Sequence, residues 1–128
     1  MTEPRWLTSQ EVLVAHERQL VRFGGPPGLR DANALESALA RPINRWRYEE
    51  GDLASLAAAY AFGLARNHAF IDGNKRIAFV ALVTFLRLNG IPFKPDQAEA
   101  TLVIRSLAAS EIDEAGLLRW IHDNWPAA

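Results

Sequence analysis

The chain has 128 residues, 49% hydrophobic and 23% charged, with a formal net charge of -1. That is the size of one domain, residues 1–128, with enough apolar material for a core. The near-neutral charge argues against a nonspecific nucleic-acid binder, and the absence of cysteine excludes a disulfide scaffold, thiol chemistry and thiolate metal sites.

The start, Met1-Thr2-Glu3-Pro4-Arg5-Trp6, lacks the apolar core of a signal peptide. The two most apolar stretches are broken by Gly63 and Arg66, or by Thr84 and Arg87, short of a membrane span. A cytoplasmic protein with no membrane role is expected. Leu7-Thr8-Ser9-Gln10-Glu11-Val12 is a helix start, with Thr8 and Glu11 as a capping box and Leu7 with Val12 as a hydrophobic staple. Val12, Ala15, Leu20 and Phe23 follow at roughly helical spacing. His16 within this helix reads as a partly buried, hydrogen-bonded side chain; a functional role would need it near the central loop described below.

Gly24-Gly25-Pro26-Pro27-Gly28 stops the first helix. Asp31 then caps a short helix carrying Leu35, Ala38 and Leu39, which Pro42 should end. Arg41, Arg45 and Arg47, interleaved with Trp46 and Tyr48, could bind nucleic acid by charge and stacking. Glu49, Glu50 and Asp52 cancel that charge directly afterwards, so a solvated surface with no nucleic-acid partner is the expectation. Asp52 caps a helix from Leu53 to about Asn67, rich in alanine and apolar around most of its circumference, which marks it as central. Arg66 closes it, as a cation beside a site or simply as one favoured by the helix dipole.

The chemistry is concentrated in His68-Ala69-Phe70-Ile71-Asp72-Gly73-Asn74-Lys75-Arg76. Asp72-Gly73-Asn74 is turn chemistry. A turn opening straight onto a helix leaves backbone N–H groups unpaired, a ready site for phosphate. Lys75 and Arg76 in the first helical turn oppose the dipole, which makes sense if they meet a bound anion. Asp72 is a hard oxygen ligand suited to Mg²⁺. His68 could act as a general base. Phe70 should anchor the loop in the core. Taken singly, each polar residue reads as well as a cap or a hydrogen-bonded loop side chain; taken together they suggest a phosphate cradle, a metal ligand and a base.

The following helix runs from about Asn74 to the Asn89-Gly90 stop, and Ile91 to Pro95 is an extended connector. Asp96 and Glu99 form another capping box, ahead of a helix whose Leu102, Val103, Ile104 and Leu107 should face the core. Ser110 or Asp113 begins the last helix, with Leu117, Leu118 and Ile121 apolar and Trp120 and Trp125 adding area. His122 reads as a surface residue, and Pro126-Ala127-Ala128 should fray. No run alternates convincingly as a strand and no internal repeat occurs, so the expectation is an all-α bundle of six helices.

The central stretch resembles the signature of the Fic/Doc superfamily, His-x-Phe-x-Asp-Gly/Ala-Asn-Lys-Arg. Lys75 stands where the adenylylating Fic branch normally has a second glycine, and Phe79 where that branch has a further arginine. Both departures look like the Doc (death-on-curing) branch; Gly73 is shared with Fic. Arg22-Phe23-Gly24-Gly25-Pro26-Pro27-Gly28-Leu29-Arg30-Asp31 and Leu86-Arg87-Leu88-Asn89-Gly90 are also similar to Doc-like toxins. The resemblance covers the chain from about Leu7 to Trp125.

It implies the six-helix Fic/Doc fold with the active loop between two central helices. It also implies a toxin of a toxin–antitoxin pair, acting as an ATP-dependent kinase on a threonine of elongation factor Tu; the alternative is Fic-type transfer of AMP to a target hydroxyl. In that frame His68 is the base, Asp72 holds Mg²⁺, and Gly73 and Asn74 present the phosphate-binding loop. Lys75 and Arg76 neutralise phosphate charge, with Arg66 adding basic character. A lysine at 75 fills the room that Fic's second glycine leaves for the β- and γ-phosphates, which favours γ-phosphoryl transfer. The implied partner is a Phd-like antitoxin whose disordered C-terminal segment folds onto the toxin. Some Fic proteins carry instead a built-in inhibitory Ser/Thr-x-x-x-Glu-Gly/Asn motif. Ser110-Glu111-Ile112-Asp113-Glu114 approaches it, but Ala115 breaks the pattern and the stretch reads better as a helix start. A third possibility, a non-catalytic binding module on the same fold, is disfavoured by the intact His68, Asp72, Asn74, Lys75 and Arg76.

Overall fold

A computed structural model of the chain describes residues 2–49 and 51–127. Its helices are α1 (Ser9–Phe23), α2 (Ala32–Glu49), α3 (Leu53–Arg66), α4 (Asn74–Leu88), α5 (Gln97–Ala108) and α6 (Glu114–Asp123). Among the described residues there is no strand, only an isolated antiparallel bridge between Leu29 and Phe70. The all-α class and the six helices are as expected. Glu50 and Ala128, read above as a neutralising charge and a frayed end, lie outside the described residues.

Helix α3 is the axis of the bundle. Its residues from Leu56 to Ala61 are wholly buried, and it touches α2, α4, α5 and α6. Small side chains let neighbours come close: a Cβ added to Gly63 would lie 3.1 Å from both Cα and Cβ of Ala38. Helices α2 and α3 therefore cross almost backbone to backbone.

That contact overturns one expectation. Pro42 does not end a short helix; it sits inside α2, which continues to Glu49. A proline in a helix interior removes one hydrogen bond and strains the preceding turn. Here Leu35, Ala38, Leu39 and Pro42 form one buried stripe at helical spacing, and packing of that stripe carries the helix through the proline. Beyond it, Arg41 and Arg45 both pair with Glu114 at the start of α6, and Arg45 also pairs with Glu49 at 3.1 Å. Two of the three arginines of the basic cluster thus tie α2 to α6, while Arg47 and Tyr48 stay on the exposed surface. Trp46 turns inward, edge-on to Trp6 at 6.2 Å.

The caps follow the sequence closely. Thr8 Oγ1 accepts from the Glu11 N–H at 3.1 Å and Glu11 Oε1 accepts from the Thr8 N–H at 3.0 Å, so the capping box is complete. Leu7 and Val12 are both buried in the core cluster. Asp31, Asp52 and Asp113 accept from the N–H three residues on. At Asp96 only the forward half of the expected box forms: Glu99 N–H donates to Asp96, while Glu99 Oε1 accepts from the Trp120 indole at 2.6 Å. Helix α4 ends as predicted, with Gly90 N–H on Arg87 O and Ile91 N–H on Leu86 O. Ser110 does not begin the last helix. It ends α5 in the left-handed region, φ 63, with Ser110 N–H on Leu107 O and Glu111 N–H on Ser106 O; Asp113 is the cap of α6. Two apolar positions also face outward against expectation: Phe23 is 56% and Leu102 61% exposed.

The segment ahead of α1 is tied to the end of α4 and to the middle of α3. Arg5 N–H donates to Asn89 Oδ1 at 2.8 Å, and Asn89 Nδ2 donates to Arg5 O at 3.0 Å. Leu7 N–H donates to the buried Tyr60 hydroxyl at 3.0 Å. Burial pushes the Tyr60 phenol up to about 12. Tyr60→Phe is expected to strand the Leu7 N–H in a dry site, at a cost of roughly 1–3 kcal/mol. Since Tyr60 ionises more easily in the unfolded chain, native stability should fall as pH rises from 10 towards about 12. Denaturant melts below and above pH 10 check both effects; a Phe variant with wild-type stability and the same alkaline slope would contradict them.

Candidate active site

Residues 68–73 join α3 to α4, and their backbone is gripped from outside at nearly every step. Arg30 Nε donates to the His68 carbonyl at 2.8 Å. The N–H groups of Arg30 and Asp31 donate to Ala69 O at 2.7 and 3.0 Å. Asn74 spans Phe70, accepting from its N–H at 3.0 Å and donating to its carbonyl at 2.9 Å. Ile71 N–H donates to Gly28 O at 3.1 Å. His16 Nε2 meets Asp72 O at 2.7 Å. The glycine- and proline-rich loop after α1 forms one wall of this stretch. At Gly25, φ 117, an added Cβ would lie 2.4 Å from Asp72 Oδ2, so the Asp72 carboxylate can occupy its place only beside glycine.

Helix α4 opens at Gly73, φ 78, with no side-chain cap. Asp72 is therefore not the N-cap. The first helical bond runs from Ile77 N–H to Gly73 O at 3.0 Å. Among the described residues the N–H groups of Gly73, Asn74, Lys75 and Arg76 find no partner and are left open at the positive end of the dipole. Lys75 is exposed there. Arg76 is half-buried, its guanidinium 5.2 Å from the Phe23 ring, and its buried Nη1 has no hydrogen-bond partner among the described residues. His68 is exposed and holds φ 52. For a residue other than glycine this conformation costs on the order of 1–3 kcal/mol, and such strain persists where the surroundings impose it.

His68, Asp72, Gly73, Asn74, Lys75 and Arg76 all line one groove of about 1290 Å³. Asn74 contributes through its backbone, because its amide is committed to Phe70. Phe70 is buried, as expected of an anchor. Arg66 does not join the groove: its guanidinium lies over the Phe62 ring at 5.2 Å. Four cations that the sequence reading missed do line it, namely Arg22, Arg87, Lys94 and Arg105, over an apolar floor of Phe79, Val80, Val83 and Ile104. A signal existed for part of this wall, since Arg76, Val80, Val83 and Arg87 recur along one face of α4. His16 was assigned a buried, hydrogen-bonded place and has one, but its partner is the central loop. His122 is exposed on α6.

Among the described residues Asp72 is the one acidic side chain on the groove wall, and no group of three or more His, Cys, Asp or Glu side chains gathers. That donor set does not make a cage for a resident metal. It does fit Mg²⁺ shared with nucleotide phosphates, which takes one or two carboxylates and completes its shell with phosphate oxygens and water. No helix of the structure is long and apolar enough to cross a membrane.

The sequence model of the Fic/DOC family matches residues 6–86, more than half of the chain. The chain belongs to the Fic/DOC family. Within it, the chain is similar to Protein kinase doc of Escherichia phage P1, with 36% identity over 101 residues, 77% of this chain and 80% of that protein. It is also 41% identical over 98 residues to Toxin Doc of Mycolicibacterium smegmatis, covering 75% of this chain and 72% of that protein.

The Gly25 contact separates site geometry from backbone strain. Gly24→Ala and Gly25→Ala both place a side chain at positive φ, at a cost of roughly 1–3 kcal/mol each. Nothing lies within 4 Å of a Cβ at Gly24. Only Gly25→Ala should displace Asp72 and weaken binding of MgATP, by about tenfold or more on the loss of one charged contact. Calorimetric titration of both variants decides this; equal affinities would mean that the Asp72 position is not set by Gly25.

Proposed function

We propose that the chain is a Doc-type toxin enzyme that moves the γ-phosphoryl group of ATP to a protein hydroxyl. By resemblance the acceptor is a threonine of elongation factor Tu and the outcome is arrest of translation. The observation that carries the reading is Lys75, exposed on the groove beside the open N-terminus of α4. A lysine there adds a cation where the adenylylating branch keeps space. The name of the phage relative, Protein kinase doc, points the same way.

The chemistry this arrangement supports is phosphoryl transfer by positioning and charge. His68 takes the proton of the acceptor hydroxyl. The freed oxygen forms a bond to the γ-phosphorus as the bond from that phosphorus to its bridging oxygen breaks, and ADP leaves with the electron pair. The N–H groups at the start of α4, with Lys75 and Arg76, meet the charge as it moves across the phosphate oxygens. Magnesium, held by Asp72 and the nucleotide's own phosphates, would screen that charge when bound.

The partner reading rests on the groove as a whole. Six Lys and Arg side chains and one Asp line it over an apolar floor, which suits an acidic, amphipathic segment that folds on binding, as expected of a Phd-like antitoxin. Glu114, the would-be inhibitory glutamate, is engaged by Arg41 and Arg45 and is not on the groove wall. Gly73, shared with the Fic branch, is the feature that favours the alternative of AMP transfer.

The deciding experiment incubates the protein with elongation factor Tu, Mg²⁺ and ATP labelled on the γ- or the α-phosphate, with His68→Ala as control. Label from γ alone, lost in His68→Ala, is expected; label from α would mean adenylyl transfer. In the same assay Lys75→Gly should lower γ-transfer by roughly 10²–10³-fold, the usual cost of losing one preorganised charge-stabilising group. A Lys75→Gly variant as active as wild type would remove Lys75 as the discriminator between the two branches.

A further inference from the structure

We infer that His16 is a positioning residue for the phosphate-binding loop: its Nε2–H, by holding the Asp72 carbonyl, sets the peptide plane between Asp72 and Gly73 and keeps the Gly73 N–H available to an anion.

His16 is 4% exposed. Its ring stacks on Phe70 at 3.7 Å and 15°, so it is clamped between helix and loop. A carbonyl oxygen can only accept, so Nε2 carries the proton of the 2.7 Å bond to Asp72 O. The peptide that follows is trans, as are all those described, and in a trans peptide C=O and N–H point in opposite directions. With the Asp72 carbonyl drawn towards α1, the Gly73 N–H is turned away from it. It has no protein partner among the described residues and is the first of the open donors that lead into α4.

The loop needs such a restraint because of Gly73. Glycine tolerates either orientation of its preceding peptide, since φ of both signs is open to it. In the flipped orientation the Asp72 carbonyl oxygen would face the groove where a phosphate is to bind, and an attractive donor would become a repulsive acceptor. His16 opposes that flip directly: its Nε2 meets the Asp72 carbonyl at 2.7 Å, with no space for a bridging water between them. The residue reaches no substrate atom in this role; it acts through the loop.

The inference deepens the phosphoryl-transfer reading, and its test includes a readout that does not require transfer. His16→Phe keeps a ring to stack on Phe70 and removes the donor. His16→Gln removes the ring and keeps an amide N–H near the place of Nε2. The Gly73 amide resonance is followed in ¹H–¹⁵N spectra of the whole chain during titration with MgATP, and kcat and KM for ATP are measured alongside. In wild type the Gly73 amide should shift downfield on binding. In His16→Phe that shift should vanish while the rest of the spectrum stays dispersed. The same variant should lose kcat by about tenfold to a hundredfold, less than for removal of a direct donor, with KM for ATP changed less than about threefold. His16→Gln should recover most of both signals. A His16→Phe protein with the wild-type Gly73 shift and kcat would overturn the inference, as would a folded His16→Gln as impaired as His16→Phe. If wild type transfers no phosphate, the proposed function fails, and the Gly73 resonance still decides the part played by His16.

Discussion

A loop that leaves its last N–H groups open to a ligand cannot use those groups to hold itself in shape. The loop from His68 to Gly73 meets that constraint by being held mostly through its carbonyls. Those of His68, Ala69, Phe70 and Asp72 each accept from a donor outside the loop. The donors come from His16 in α1, Asn74 in α4, and Arg30 and Asp31 in the segment just before α2. The open N–H groups then line up from Gly73 into α4. Much of the rest of the fold follows from the need to bring those donors to one place: the glycine loop after α1 must be narrow enough to lie against Asp72, and α3 must be slim enough for α2 and α4 to pack on either side of it.

Net charge conceals how the charges are arranged. The chain is nearly neutral overall, yet the groove wall holds six cations and one carboxylate. In a concave site with apolar walls that imbalance concentrates the field and attracts polyanions at long range. The acidic side chains that restore neutrality are spent elsewhere: Glu114 on two arginines, Glu11 and the aspartates on caps. The cations at the start of α4, badly placed for the helix dipole, are well placed for a ligand.

Much of the architecture was legible in the sequence because it rests on local rules. Thr8 with Glu11, Asp31, Asp52, Asn89-Gly90 and Asp113 are short-range devices, and each acts where its residue type says it should. The failures have a common cause, which is that distant contacts decided them. Pro42 looked like a helix end until the stripe it shares with Leu35, Ala38 and Leu39 found α3. Glu99 looked like the second half of a box until Trp120 took its oxygen. Ser110 looked like a start and serves as a stop, in a left-handed conformation usually left to glycine. In the site, the polar residues of the central stretch were recognisable by type and spacing, and the groove gathers His68, Asp72, Gly73, Asn74, Lys75 and Arg76; Arg66, outside that stretch, was also read as a site cation, and its spacing from His68 did not reveal that its guanidinium would rest on Phe62. His16 could not have been matched to Asp72, 56 residues away, without the path of the chain between them.

The two-point clamp between Arg5 and Asn89 has a consequence for motion. Helix α4 follows the central loop at its start, and at its end it holds the segment that leads into α1; α1 in turn holds the loop through His16. The three form a closed mechanical circuit. A fluctuation that loosens the central loop by sliding α4 must also release the Arg5 amide from Asn89, so exchange with solvent at the two places should behave as one cooperative opening unit, although they lie at opposite ends of a fifteen-residue helix.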